Sequence, residues 1–202
     1  MKTPKVLIAC EFSGVVREAF RAFGYDAISC DIIPPEDGRV DYHYQGDVRD
    51  ILNDGWDIMI GFPPCTYLAN SGVRWLYNPD GSKDQGRWDC MRRGALFFKM
   101  LLDAKIPKIA LENPIQHKYA REIIGRKYDQ IIQPWQFGHG ETKATCLWLK
   151  NLQPLLPTKV VSGRKQRVHL LPPSENRWIE RSRTLPGIAM AMAEAWAIGE
   201  YA

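Results

Sequence analysis

Short continuous apolar runs alternate along this chain with stretches in which apolar residues recur every three or four positions. The first run, Lys5-Val6-Leu7-Ile8-Ala9-Cys10, has the pattern of a strand buried on both faces. After Glu11-Phe12-Ser13-Gly14, the residues Val16, Phe20 and Phe23 fall at helical spacing, and Gly24 supplies a natural stop. A second strand, Ala27-Ile28-Ser29-Cys30, ends at Asp31, so the opening is a β-α-β unit. The turn-rich Pro34-Pro35-Glu36-Asp37-Gly38 leads into a weaker extended stretch and then Gly46 to Leu52. Ile58-Met59-Ile60 is the next strand. Met91, Ala95, Phe98 and Leu102 mark one face of a crossover helix over Trp88 to Ala104. Lys108 to Leu111 is a further buried strand. A short helix around Lys118 to Ile124, strands at Gln130 to Trp135 and Ala144 to Leu149, and an alanine-rich helix from Pro186 to Glu200 complete the chain.

This alternation predicts an α/β fold with a doubly wound, mostly parallel sheet. Such sheets bind ligands beyond the carboxyl ends of their strands. Phe12-Ser13-Gly14, Asp31, Asp47, Pro63-Pro64-Cys65 and Glu112-Asn113 all lie just past predicted strand ends, so one edge should gather them.

Composition narrows the class. With 202 residues, 45% of them apolar and 25% charged, the chain is expected to form a single soluble domain over residues 1–202. No apolar run reaches the ~18 residues of a membrane span. Without a signal-peptide pattern at the N-terminus, the expected location is cytoplasmic. Five cysteines without a C-x-x-C pair, and histidines at 43, 117, 139 and 169 without ligand spacing, indicate neither a disulfide framework nor a metal site. The net charge is +4, but residues 151–184 carry seven basic and two acidic side chains, a net of +5, which leaves −1 for the rest. A basic segment on a near-neutral body suits a polyanion; a solvated loop is the other reading.

The candidate chemistry starts at Cys65, where two prolines stiffen the turn that carries the thiol. A loop nucleophile and a buried structural cysteine are both open on this segment alone. Glu112 is the best carboxylic acid to donate a proton as the thiol attacks, and Asn113 can tie the two loops together. Asp31 stands where doubly wound folds place an acid on a ribose diol, or is a turn aspartate. Gly14 permits close backbone approach, although no full G-x-G-x-x-G is present, and Asp47 can accept from an adenine amine.

The ordered series Phe12-Ser13-Gly14, Asp31, Gly46-Asp47-Val48, Pro63-Pro64-Cys65 and Glu112-Asn113-Pro114 resembles the motifs of DNA cytosine 5-methyltransferases. Phe137-Gly138-His139-Gly140-Glu141-Thr142-Lys143-Ala144-Thr145 is similar to that family's glycine turn and Q-x-R-x-R, and Pro186-Gly187-Ile188-Ala189 sits where its last helix begins. The resemblance implies a Rossmann-like class I fold, S-adenosyl-L-methionine as cofactor and a flipped pyrimidine in DNA as substrate. Cys65 would add to ring carbon 6, Glu112 would act at ring nitrogen 3, and Asn113 would support them. Phe12, Ser13, Gly14, Asp31, Asp47, Pro63 and Pro64 would shape the cofactor side.

Three departures from the family pattern stand out. Val16 replaces a motif glycine. Glu141, Lys143 and Thr145 occupy the Q-x-R-x-R positions that meet the substrate. About 35 residues, 151–184, stand in place of a target-recognition domain, so the chain resembles a short, phage-type form whose sequence recognition is low or supplied by a partner subunit. Arg164, Lys165 and Arg167, with Arg177 to Arg183 around Trp178, would then contact phosphates. The other readings are a non-catalytic DNA- or protein-binding member of the fold, and a pyrimidine-modifying enzyme acting on nucleotide, RNA or a uracil-type base.

Overall fold

A computed structural model describes residues 3–175 and 177–197. Seven strands form one sheet: β1 (Lys5–Ala9), β2 (Asp26–Asp31), β3 (His43–Gln45), β4 (Ile58–Gly61), β5 (Lys108–Asn113), β6 (Gln130–Ile132) and β7 (Thr145–Lys150). Their order is β3-β2-β1-β4-β5-β7-β6, and β7 alone runs antiparallel to its neighbours. The register is level where it matters. Ala9 lies opposite Cys30 on one side and Gly61 on the other, and Gly61 lies opposite Leu111.

The strands alternate between two cores, as doubly buried strands must. Val6 and Ile8 face a layer made by α1 (Val15–Ala22) and α6 (Pro186–Ala197), with Val16, Phe20, Met192 and Trp196 at its centre. Leu7 and Ala9 face the other layer, built by α2 (Gln85–Leu102) and α3 (Lys118–Ile124) around Met91, Phe98 and Trp148. Two further short helices, α4 (Arg167–Leu170) and α5 (Arg177–Ser182), lie in the basic segment.

The alternation of strand and helix is less regular than the apolar pattern predicts. Between β3 and β4 the chain makes only a 3-10 turn at Val48–Asp50, because Asp47 caps it by accepting from the Arg49 amide and so closes a tight turn. The run from Gln130 stops as a strand at Ile132, since Pro134 has no amide to donate and starts a 3-10 turn through Gln136. Helix α2 begins at Gln85, three residues before the expected Trp88, at the point where Asp84 accepts from the Arg87 amide at 3.0 Å. Glu112 and Asn113 are the last two residues of β5 itself, paired with Leu147 and Cys146 of β7. The last helix is described to Ala197; the remainder of its expected span lies outside the described residues.

No described helix is long and apolar enough to cross a membrane. Among the described residues no group of three or more histidine, cysteine and acidic side chains could hold a metal ion.

Candidate active site

The sheet edge holds a cavity of about 110 Å³ whose lining includes Phe12 and Ser13 from the β1 end, Pro63, Pro64 and Cys65 from the β4 end, and Glu112 and Asn113 from β5. Strand register explains the convergence. β1 and β4 end at one level and β5 runs two residues further, so Glu112 and Asn113 stand beside the loops that leave the other two strands.

On the β1 side the chain leaves the sheet through Cys10, a non-glycine residue at φ 59°. Glu11 then folds back under α1. Its carboxylate accepts from the amides of Val16 at 2.7 Å and Arg17 at 3.2 Å, and from the Ser13 hydroxyl at 3.2 Å. It thereby fills the helix N-terminus, which would otherwise attract an anion. Burial pushes this carboxyl up to about 7, against the lowering pull of those donors. Gly14, at φ 72°, has to be glycine, since a Cβ there would run into the Arg17 guanidinium and the Asp37 carboxylate. The buried Arg17 pairs with Asp37, donates to Ser29 Oγ at 2.9 Å and meets Glu18 at 2.9 Å. It fixes the loop after β2 against α1.

Asp31 ends β2 and accepts from the Ile33 amide at 3.3 Å, with burial raising its carboxyl. The Asp47 carboxylate is engaged by Arg49 through both the side chain and the amide, at 2.9 Å each. That pairing holds it down at about 2.

The Cys65 loop is tied down on both flanks. Asn113 Nδ2 donates to the Pro63 carbonyl at 2.8 Å, and the Phe62 amide donates to the Ala9 carbonyl at 2.9 Å. The Cys65 carbonyl accepts from the amides of Leu68 and Ala69, both at 3.0 Å. His117 pairs with the Tyr67 carbonyl at 2.9 Å, and its amide donates to the Leu68 carbonyl. Burial and the neighbouring Glu112 carboxylate raise the Cys65 thiol, while Lys143 and Arg181 oppose them. Glu112 is raised by its own burial, with the Lys143 charge and the nearby Thr145 hydroxyl pulling the other way. One lysine therefore acts on both groups.

Of the residues expected at the substrate, Lys143 lines the cavity and donates through Nζ to the Arg181 carbonyl at 2.9 Å. Thr145 opens β7, buried, with its hydroxyl donating to the Lys143 carbonyl at 3.1 Å. Glu141 pairs instead with Arg167 at 3.0 Å. Arg164 lies over the Trp135 ring at 4.0 Å, and the Lys165 backbone bridges Gly140 and Thr142. The structure thus gathers Phe12, Ser13, the Pro-Pro-Cys loop, Glu112, Asn113 and Lys143 on one cavity. Arg164, Lys165 and Arg167 lie along the Trp135 to Thr142 connection, outside its lining.

One contributor carries no clear sequence signal. Glu11 acts as a cap from five positions before the first amide it bonds, beyond the usual capping spacing. Arg181, expected among the phosphate contacts of the basic segment, lines the cavity beside Cys65.

No family model matches the chain, and no curated protein is similar enough to count as a relative. Several solved structures are similar, three of them as follows. An Escherichia coli prophage protein assigned as a DNA modification methyltransferase aligns at 17% identity over 85% of this chain and 56% of its own, with a TM-score of 0.50. The Entamoeba histolytica methyltransferase EhMeth aligns at 16% identity over 87% and 62%, with a TM-score of 0.48. A mutant of Spodoptera frugiperda DNMT2 aligns at 16% over 85% and 56%, with a TM-score of 0.42. This chain therefore spans little more than half the length of these proteins. With the strand order and the single antiparallel strand already described, the likeness to the first of them identifies a Rossmann-like class I methyltransferase fold.

Proposed function

We propose that the protein transfers a methyl group from S-adenosyl-L-methionine to carbon 5 of cytosine in DNA through a covalent adduct with Cys65. The observation that carries this reading is the shared cavity: a thiol, a buried acid and a cation that acts on both stand beside an aromatic wall at the edge where this fold binds ligands. A binding protein without turnover has no need of that combination.

The cofactor side fits the cofactor's chemistry. Phe12 offers a face for adenine, and the Asp31 carboxylate at the end of β2 suits a ribose diol. Glu11 fills the N-terminus of α1 with a carboxylate of the chain's own, which disfavours a phosphate there and tolerates a cation. When bound, S-adenosyl-L-methionine supplies an electrophilic methyl group. Ser13 and Gly14 shape the backbone beside it, Pro63 and Pro64 form the wall towards the base, and Asp47 would reach an adenine amine only by giving up Arg49.

On the substrate side, Cys65 as thiolate forms a bond from Sγ to ring carbon 6. The proton of Glu112 passes to ring nitrogen 3, which leaves an enamine whose carbon 5 is nucleophilic. After methylation, solvent takes the proton from carbon 5, the bond to Sγ breaks as the carbon 5–carbon 6 double bond re-forms, the thiolate leaves, and nitrogen 3 returns its proton to Glu112. Asn113 holds the Pro63 carbonyl and so keeps the thiol aligned with the acid. Lys143 stabilises the thiolate as it forms, since its charge lowers the thiol. Burial favours the protonated form of Glu112, and a neutral acid matches cytosine, whose nitrogen 3 is an acceptor; uracil presents a donor there. The cationic side chains of residues 151–184 are the proposed phosphate contacts, Arg164 and Lys165 foremost and Arg167 once it leaves Glu141.

DNA carrying 5-fluorocytosine tests the mechanism, because its carbon 5 has no proton to lose. With cofactor present, the reading predicts a stable protein–DNA adduct that maps to the Cys65 peptide. Turnover without such an adduct, or an adduct at another cysteine, contradicts it.

A further inference from the structure

The segment after Lys165 crosses the cavity mouth, held at each end by charge. Arg167 meets Glu141 at 3.0 Å at one end. Arg183 meets Glu180 at 2.6 Å and Glu36 at 3.0 Å at the other. Between them, α5 lays Trp178 on Phe12, with ring centroids 6.0 Å apart and planes inclined at 55°. Phe12 is 8% exposed, whereas Trp178 is 54% exposed, so the indole caps the phenyl ring without being part of the core. Arg181, Ser182 and Thr184 of the same segment line the cavity, and the Arg181 carbonyl accepts from Lys143. The Glu36 amide donates to the Phe12 carbonyl at 2.9 Å, so the anchor of the segment and the ring it covers belong to one bonded unit.

We infer that Trp178 is the second aromatic wall of the adenine site, with the purine entering between it and Phe12. This rests on the cofactor reading above. A planar ring between two others needs centroids about 7 Å apart, two van der Waals contacts, against the 6.0 Å seen with the rings touching. The rings must also turn from an inclination of 55° towards parallel, and both movements fall on α5, whose anchoring pairs are partly exposed and weak. Phe12 is fixed and Trp178 is the wall that moves. The segment expected from sequence to contact phosphate thus also closes the cofactor side, and an aromatic residue there serves a purpose its basic neighbours do not.

The test is the affinity of the full chain for S-adenosyl-L-homocysteine and for adenosine, measured by titration calorimetry on the wild type, Trp178→Ala and Trp178→Phe. Stacking on one aromatic residue predicts that Trp178→Ala weakens both ligands by about fivefold or more, and that Trp178→Phe recovers most of the loss. Loss on adenosine as well as on the whole ligand ties the effect to the nucleoside end, and recovery in Trp178→Phe with an unchanged Tm in Trp178→Ala separates it from misfolding. Equal affinity of Trp178→Ala and the wild type overturns the inference and leaves the cofactor reading standing, as does a Phe variant no better than Ala. A wild type that binds neither ligand overturns the cofactor reading and the inference together.

Discussion

Burial raises the carboxyls of Glu11, Asp31 and Glu112 alike, whereas Arg49 lowers that of Asp47. Glu112 is desolvated at the end of β5, which favours its protonated form; under the proposed mechanism donation to ring nitrogen 3 would weaken as pH rises. Glu112→Gln should cut methyl transfer by at least about a hundredfold, in the range of a lost general acid, and flatten the alkaline limb of the rate profile read by single-turnover kinetics. Cys65 is raised too, and Lys143 is one of the charges that oppose this. Lys143→Met should therefore slow alkylation of Cys65 by iodoacetamide severalfold at pH 8, followed by peptide mass spectrometry. Glu11 bears on stability. Its carboxyl rises from an ordinary 4.5 to about 7 in the fold, so the folded state binds the extra proton between those values. Its contribution is full below pH 4.5 and is lost as pH rises through 7, by about 3 kcal/mol at most. Glu11→Gln should remove that part of the slope, measured by urea unfolding at pH 5 and pH 8. Cys65 and Glu112 can be placed at one sheet edge from the sequence because each stands at the end of a short apolar run of strand length; the run alone leaves the role of the thiol open. The role of Glu11 is not legible there, because its partners depend on how the chain doubles back beneath α1.

Among the elements, the join between the β6–β7 connection and α6 is the tightest. A Cβ on Gly187 would run into the Phe137 carbonyl oxygen, and the Gly187 amide already donates to His139 Nε2 at 3.0 Å. Backbone cannot yield as a side-chain tip can. Gly187→Ala should cost about 1–3 kcal/mol, seen as a lower Tm, and should loosen the connection that carries Lys143. The sequence places Phe137-Gly138-His139 and Pro186-Gly187 in separate motifs, and their contact belongs to the folded chain. The helices and long strands follow from periodicity, since burial on one or both faces leaves a pattern. The 3-10 turn at Val48–Asp50 and the early end of β6 do not, since they depend on a capping aspartate and a missing proline amide.

For the whole molecule, the central fact is that a basic segment is folded across an otherwise near-neutral body. Alternating charges from Glu141 through Arg167, Glu180 and Arg183 to Glu36 hold it there. A nucleic acid would compete with those carboxylates for the same arginines. Reversing charge at Arg164, Lys165 and Arg167 should weaken DNA binding and reduce its salt dependence by about one unit of slope for each phosphate no longer neutralised, read by anisotropy across a salt series. The composition announces this segment; the Phe12–Trp178 contact that closes it over the cavity joins residues 166 positions apart and leaves no local trace. The claim on which everything else depends is that Cys65 serves pyrimidine methylation. Its most direct measurement is transfer from S-adenosyl-L-methionine labelled on the methyl group to DNA, RNA and free nucleotides, followed by digestion to nucleosides. The expected result is label in 5-methylcytosine from DNA, absent with Cys65→Ser. Label in no substrate, on another base, or undiminished in Cys65→Ser would contradict it.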